Sequence, residues 1–306
     1  MLNRVQEIWQ GVHHLDSQRV RWLITGGILV FSCVVLGSML WYYLPTLLTY
    51  HWQLQIWPLL LGFAIYALDL GLAVLGWSII MGHLTNPLSL REHFRIYCMT
   101  LAAKRIPGVP WHLVGRVALY KQLGISGSVT SIAAGLEMIL IVVAGILSST
   151  LIGFGLPETM RHYWVWFGPV LVIGLILMHP ALVRQVLHRF GHKQLAVPLH
   201  YRDMLLLLGV YLLVWGVGGC MLYVMILALY PLSWTQLPGV IGVWGLSGVV
   251  ASLVLFSPAG LGIKELTLSV LLALFVPAGL AVIIALLMRV YLTTAELVWA
   301  MVASRL

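Results

Sequence analysis

Residues 256–268 read FSPAGLGIKELTL. Pro258, Ala259, Gly260 and Gly262 interrupt two long apolar runs, and Lys264 and Glu265 follow side by side. An apolar run that breaks at Pro and Gly and resumes on two charges is not an ordinary membrane-crossing helix. It reads as a break followed by a half-helix, and the surrounding chain decides what that break serves.

The chain has 306 residues, of which 61% are hydrophobic and 8% charged. Soluble domains carry about a quarter charged residues, so this composition belongs to an integral membrane protein. Several apolar stretches exceed the roughly 18 residues needed to cross a bilayer as helix, and none alternates as a barrel strand would. Spans are expected near 23–44, 56–81, 128–152, 163–180, 203–230, 238–256 and 278–302. Two further segments, 105–121 (RIPGVPWHLVGRVALYK) and 257–276, are too short or too polar to cross and read as re-entrant half-helices. The fold expected is therefore an all-α integral membrane protein, with about 7–8 transmembrane helices plus two re-entrant segments in one polytopic domain over 1–306.

The net charge is +8. Lys and Arg concentrate in the N-terminal 22 residues, in 82–105 and in 181–202, and are absent from 46–55 and 231–237. That alternation places the N-terminus, 82–121 and 181–202 in the cytoplasm, in a protein of the plasma or inner membrane. The cations are read as topology determinants and lipid contacts, with no nucleic-acid partner. Three scattered cysteines with no CxxC point to neither a disulfide framework nor a zinc site. His188 and His192 have metal-ligand spacing, but no third ligand accompanies them, and 181–200 reads as a basic interfacial segment. No cofactor or metal is expected. Gly242, Gly245 and Gly248, with Ser252, form a small-residue face suited to close helix packing.

Charges inside the apolar segments carry the functional signal. Asp69, Glu137, Glu265 and Glu296 fall there, together with Arg116 and Arg289. Each charge at the bilayer centre costs roughly 2.5–3.5 kcal/mol on insertion scales, so four unpaired carboxylates would cost on the order of 10 kcal/mol. They must be paired or must line water. Glu137 lies about nine residues into its span and Arg289 about eleven, which is ~13 Å and ~16 Å of helix rise. Both are near the midplane of a core about 30 Å thick.

The two halves echo each other. Pro107-Gly108 precedes Arg116, with Glu137 in the next span; Pro258-Ala259-Gly260 precedes Glu265, with Arg289 in the next span. The signs are swapped. This suggests a two-fold repeat with halves 56–180 and 203–302, parallel or inverted. Broken segments at corresponding positions of two repeats point to a transporter's midplane site. The pairs Arg116–Glu137 and Glu265–Arg289 read either as structural ion pairs that pin the short segments or as the border of a polar cavity. A half-helix that starts after a Gly-rich break exposes free N–H groups and a positive dipole end, which suits a phosphate. Arg116 and Lys264 add charged donors there, and Arg105 sits at the edge of the first break. Asp69 is a candidate proton site.

RIPGVPWHLVGRVALYKQLGISGSVTSIAAGLE and SPAGLGIKELTLSVLLALFVPAGLAVIIALLMRV together resemble the transmembrane domain family of lysylphosphatidylglycerol synthases. The shared order is a Pro-Gly loop, a following Arg, a Gly before the next span, then Pro-x-Gly-x-Gly-x-x-Glu and a later Arg. The resemblance covers most of the chain. Val109-Pro110-Trp111-His112 stand where a Gly-acid pair is common, and Met138 follows Glu137 in place of a basic residue. The resemblance implies a flippase of the stand-alone kind, without the soluble aminoacyl transferase. It implies a lipid path lined by Pro107, Gly108, Arg116, Glu137, Pro258, Gly260, Gly262, Glu265 and Arg289.

The function expected is therefore translocation of an anionic lipid headgroup, a polyprenyl-phosphate-linked sugar or a phospholipid such as an aminoacylated phosphatidylglycerol. The alternatives are a non-catalytic membrane partner of a glycosyltransferase and a membrane-embedded lipid-modifying enzyme. No P-loop is present to drive transport with a nucleotide; against the enzyme stand the isolation of Asp16, Asp69 and Asp203 and the absence of DxxD and of G-x-S-x-G.

Overall fold

The computed structural model describes residues 55–101, 103, 111–155, 200–253 and 262–306, with isolated residues between 34 and 48 and between 169 and 181. The expected spans over 23–44 and 163–180 lie largely outside the described residues, as does most of the basic segment 181–200 with His188 and His192. The described residues are helical, with no strand among them.

Five helices are long and apolar enough to cross a membrane. They are α1 (Ile56–Leu84), α4 (Gly127–Ser149, continued by a 3₁₀ turn over Thr150–Gly155), α5 (Tyr201–Leu227), α6 (Leu237–Leu253, preceded by a 3₁₀ turn over Trp234–Gln236) and α8 (Ala278–Ser304). Three shorter and less apolar helices complete the set of elements: α2 (Leu90–Leu101), α3 (Trp111–Gln122) and α7 (Ile263–Leu272). Helix α7 lies inside the expected half-helix 257–276, and α3 is the helical part of 105–121. Helix α2 falls in a stretch read from the sequence only as a basic cytoplasmic segment.

Local chemistry sets the helix starts. Ser89 and Glu92 form a reciprocal cap at the start of α2: the Ser89 N–H donates to Glu92 Oε2 at 3.1 Å and the Glu92 N–H to Ser89 Oγ at 3.2 Å. Ser126 accepts the Val129 N–H at the start of α4. Asp203 reaches back to the His200 N–H at 3.0 Å to close the first turn of α5. Gly262 starts α7 with φ of 80°, a backbone setting costly for any residue with a Cβ.

Helices α1 and α5 pack antiparallel along their length. His83 near the end of α1 lies 3.6 Å from Asp203 at the start of α5, and at the other end the Gln55 N–H donates to the Ala228 carbonyl at 3.1 Å. Helix α4 lies against both α5 and α6, and α8 against α7 and α2. The small-residue face of α6 packs as its composition suggested. A Cβ on Gly242 would strike the Ile152 backbone, one on Gly245 the Gly145 carbonyl and Ser148, and one on Gly248 the Trp215 ring. Close backbone approach of this kind holds helices together where no hydrophobic effect operates between them. Trp41, Trp57 and Trp234 are exposed, in keeping with aromatic residues at a bilayer interface.

Candidate functional site

Each of the two short charged helices, α3 and α7, is tied by an ion pair to the long helix that follows it. Arg116 of α3 donates to Glu137 Oε2 of α4 at 2.6 Å, and Arg289 of α8 donates to Glu265 Oε1 of α7 at 3.1 Å. The partners suggested by the sequence echo are thus in contact. Their surroundings differ greatly.

The first pair is dry. The side chains of Arg116 and Glu137 are 3% and 6% exposed. The guanidinium lies between two aromatic faces, 3.9 Å from the Tyr97 ring centre and 4.5 Å from that of Trp77. Both rings offer their negative faces to the cation. The other Glu137 oxygen, Oε1, accepts from Tyr97 at 3.1 Å and from Tyr211 at 3.4 Å. Behind the cage, Trp77 Nε1 donates to the Tyr120 hydroxyl at 2.7 Å, and that hydroxyl lies 2.7 Å from His93 Nδ1. Burial holds the His93 imidazole below its ordinary pKa. The Tyr120 hydroxyl links Trp77 to His93, with the direction of the second bond set by the His93 tautomer. Desolvating two charges is expensive, and it is offset here by short geometry and hydrogen bonds to both carboxylate oxygens.

The second pair is partly open. The Arg289 side chain is 19% exposed and that of Glu265 is 7% exposed. Glu265 does two jobs, because its Oε2 accepts the Gly262 N–H at 2.8 Å while Oε1 holds Arg289. One carboxylate therefore caps its own helix and positions an arginine on the next. Lys264 lies one residue before it, with its ammonium 3.7 Å above the Trp244 ring of α6. Lys264 belongs to the first turn of α7 and Arg289 is held by Glu265 of the same turn, an electrostatic setting suited to an anion.

Asp69 is half-buried in α1, one turn after Tyr66. The Tyr66 phenol lies in the electrostatic field of both Asp69 and Glu296 of α8, so these groups form a third polar patch between helices. Of the remaining candidates, Arg105, Pro107, Gly108, Pro258 and Gly260 lie outside the described residues. Among the described residues, no group of three or more His, Cys, Asp or Glu is arranged to hold a metal ion.

Sequence reasoning missed the cage: Trp77, Tyr97, Tyr120, Tyr211 and His93 were not singled out. It also gave Glu296, inside the 278–302 span, no partner.

No family model matches the chain, and no curated protein matches it.

Proposed function

We propose that this protein is a lipid transporter without chemistry of its own, which moves the anionic headgroup of a membrane lipid past the α7–α8 ion pair. One observation carries the reading. Arg289, deep in a membrane-length helix, keeps a fifth of its side chain exposed while held by a carboxylate at the start of a Gly-initiated helix. A charge in such a place is costly unless it meets water or a ligand. A headgroup phosphate matches Arg289, Lys264 and the α7 N-terminus, and it would exchange with Glu265 for the guanidinium.

In this reading Arg116 and Glu137 are the anchor of the site and not its surface. Their pair fixes α3 against α4, so that only the second half works on substrate. The sequence resemblance to the lysylphosphatidylglycerol synthase transmembrane domains supports lipid translocation as such, while it would put Arg116 and Glu137 on the lipid path too. The distribution of Lys and Arg puts the α1–α2 turn, residues 85–89, on the cytoplasmic side.

The test uses purified protein in sealed vesicles that carry fluorescent phosphatidylglycerol or a labelled polyprenyl phosphate. Leaflet exchange is read by quenching from outside with a membrane-impermeant reductant. Exchange faster than in protein-free vesicles is expected for at least one of the two lipids. The protein-free rate with both lipids overturns the reading.

A further inference from the structure

Helix packing follows a two-fold rule. Let α1 correspond to α5, α2 to α6, α3 to α7 and α4 to α8. Helix α1 packs on its own counterpart α5. The cross pair α4–α6 is matched by α8–α2. The sequential pairs α1–α2, α2–α3 and α3–α4 are matched by α5–α6, α6–α7 and α7–α8. The pair α1–α4 is matched by α5–α8. Within both halves the ion pair joins the third helix to the fourth.

The direction of the repeat can be read from contacts at both ends of α1 and α5. His83–Asp203 and Gln55–Ala228 join opposite ends of the two helices, so corresponding helices run antiparallel. His93 near the start of α2 meets Tyr120 near the end of α3, so this hairpin returns to the face where it began. In the second half, Lys264 at the start of α7 meets Trp244 midway along α6, so α7 likewise lies against the helix before it.

One seam breaks the symmetry. Helices α4 and α5 are closed on each other: Trp215 Nε1 donates to the Ile141 carbonyl at 2.9 Å, Tyr211 reaches Glu137, and Gly145 lies under the Trp215 ring. The equivalent helices α8 and α1 meet through Tyr291, which donates to the Leu59 carbonyl at 2.8 Å and packs on Gly62 and on the Phe63 ring. Among the described residues their backbones approach each other far less than those of α4 and α5 do. Tyr66, Asp69 and Glu296 belong to this looser seam. An inverted repeat whose halves are packed differently holds two conformations of one unit, and exchange of the two packings opens the molecule to the other side.

We propose that α1–α4 and α5–α8 are inverted repeats, and that the α4–α5 and α1–α8 seams are the two gates of one alternating device. The alternation rests on the transport reading above; the repeat does not.

The experiment uses the full chain with Cys33, Cys98 and Cys220 replaced by serine or alanine. Asn86→Cys in the α1–α2 turn and Thr235→Cys before α6, both exposed, are labelled in sealed vesicles with a membrane-impermeant maleimide. Labelling from opposite sides is expected; labelling of both from one side overturns the repeat. Each seam is then locked by a short bifunctional thiol reagent, in Gly62→Cys/Tyr291→Cys for α1–α8 and in Gly145→Cys/Trp215→Cys for α4–α5. Each pair before cross-linking serves as its own control for folding. Loss of exchange of fluorescent phosphatidylglycerol or labelled polyprenyl phosphate on locking either seam is expected. Exchange that survives the lock of one seam overturns the alternation and leaves the transport reading standing. If the parent protein exchanges neither lipid, the transport reading fails and the alternation with it, while the labelling result still decides the repeat.

Discussion

The two ion pairs of the molecule have the same ingredients and opposite surroundings. Arg116–Glu137 is enclosed by Trp77, Tyr97 and Tyr211 and is closed to solvent. Glu265–Arg289 has one carboxylate oxygen spent on a helix cap and an arginine left partly accessible. The difference teaches that a buried charge is assigned a role by what saturates it. A carboxylate with tyrosines on one oxygen and an arginine on the other has nothing left to offer a ligand. An arginine held by one oxygen of a shared carboxylate can be released by a competing anion.

The comparison breaks most readily at Glu137. Glu137→Ala leaves Arg116 buried with its main counter-charge gone. A destabilisation of about 3–5 kcal/mol is expected, read as loss of monodisperse protein in detergent and a lowered melting temperature. The double substitution Arg116→Met/Glu137→Leu removes both charges and should recover most of that loss, because an apolar pair carries no desolvation cost. A double variant as unstable as Glu137→Ala would show that the pair does more than pin α3.

The next test is on the open side. Arg289→Gln should lower melting temperature less than Glu137→Ala and yet stop lipid exchange. A variant that melts like Glu137→Ala would place Arg289 in the same structural class as Arg116. Smaller effects sharpen the picture of the cage. Tyr97→Phe removes a hydroxyl 3.1 Å from Glu137 and should cost about 1–3 kcal/mol in thermal or denaturant unfolding. Tyr211→Phe, whose hydroxyl is at 3.4 Å, should cost less. Last, Lys264→Met removes the cation above the Trp244 ring and should cost about 0.5–2 kcal/mol, with exchange altered more than stability.

Much of this was legible in the sequence for a specific reason. Charges are so rare in the apolar segments that each one had few candidate partners, and sign together with corresponding position in the two echoed halves matched Arg116 to Glu137 and Glu265 to Arg289. Apolar length likewise marked the five described membrane-length helices. The cage was not legible, because Trp and Tyr are common throughout a membrane protein and nothing in their spacing separates a ring over a guanidinium from one facing lipid. Helix α2 was hidden by its own polarity: Arg91, Glu92, His93 and Arg95 made LREHFRIYCMTL read as a basic cytoplasmic stretch. The direction of the repeat needed the third dimension, since His83–Asp203 and Gln55–Ala228 join residues far apart in the chain.

The measurement that bears most directly on the central claim is lipid exchange by Arg289→Gln and by Arg116→Met/Glu137→Leu, side by side in the same vesicles with the same two labelled lipids. The account predicts that the double variant, once folded, exchanges lipid and that Arg289→Gln does not. The reverse result, with exchange lost in the folded double variant and kept in Arg289→Gln, would contradict it and move the working site to the caged pair.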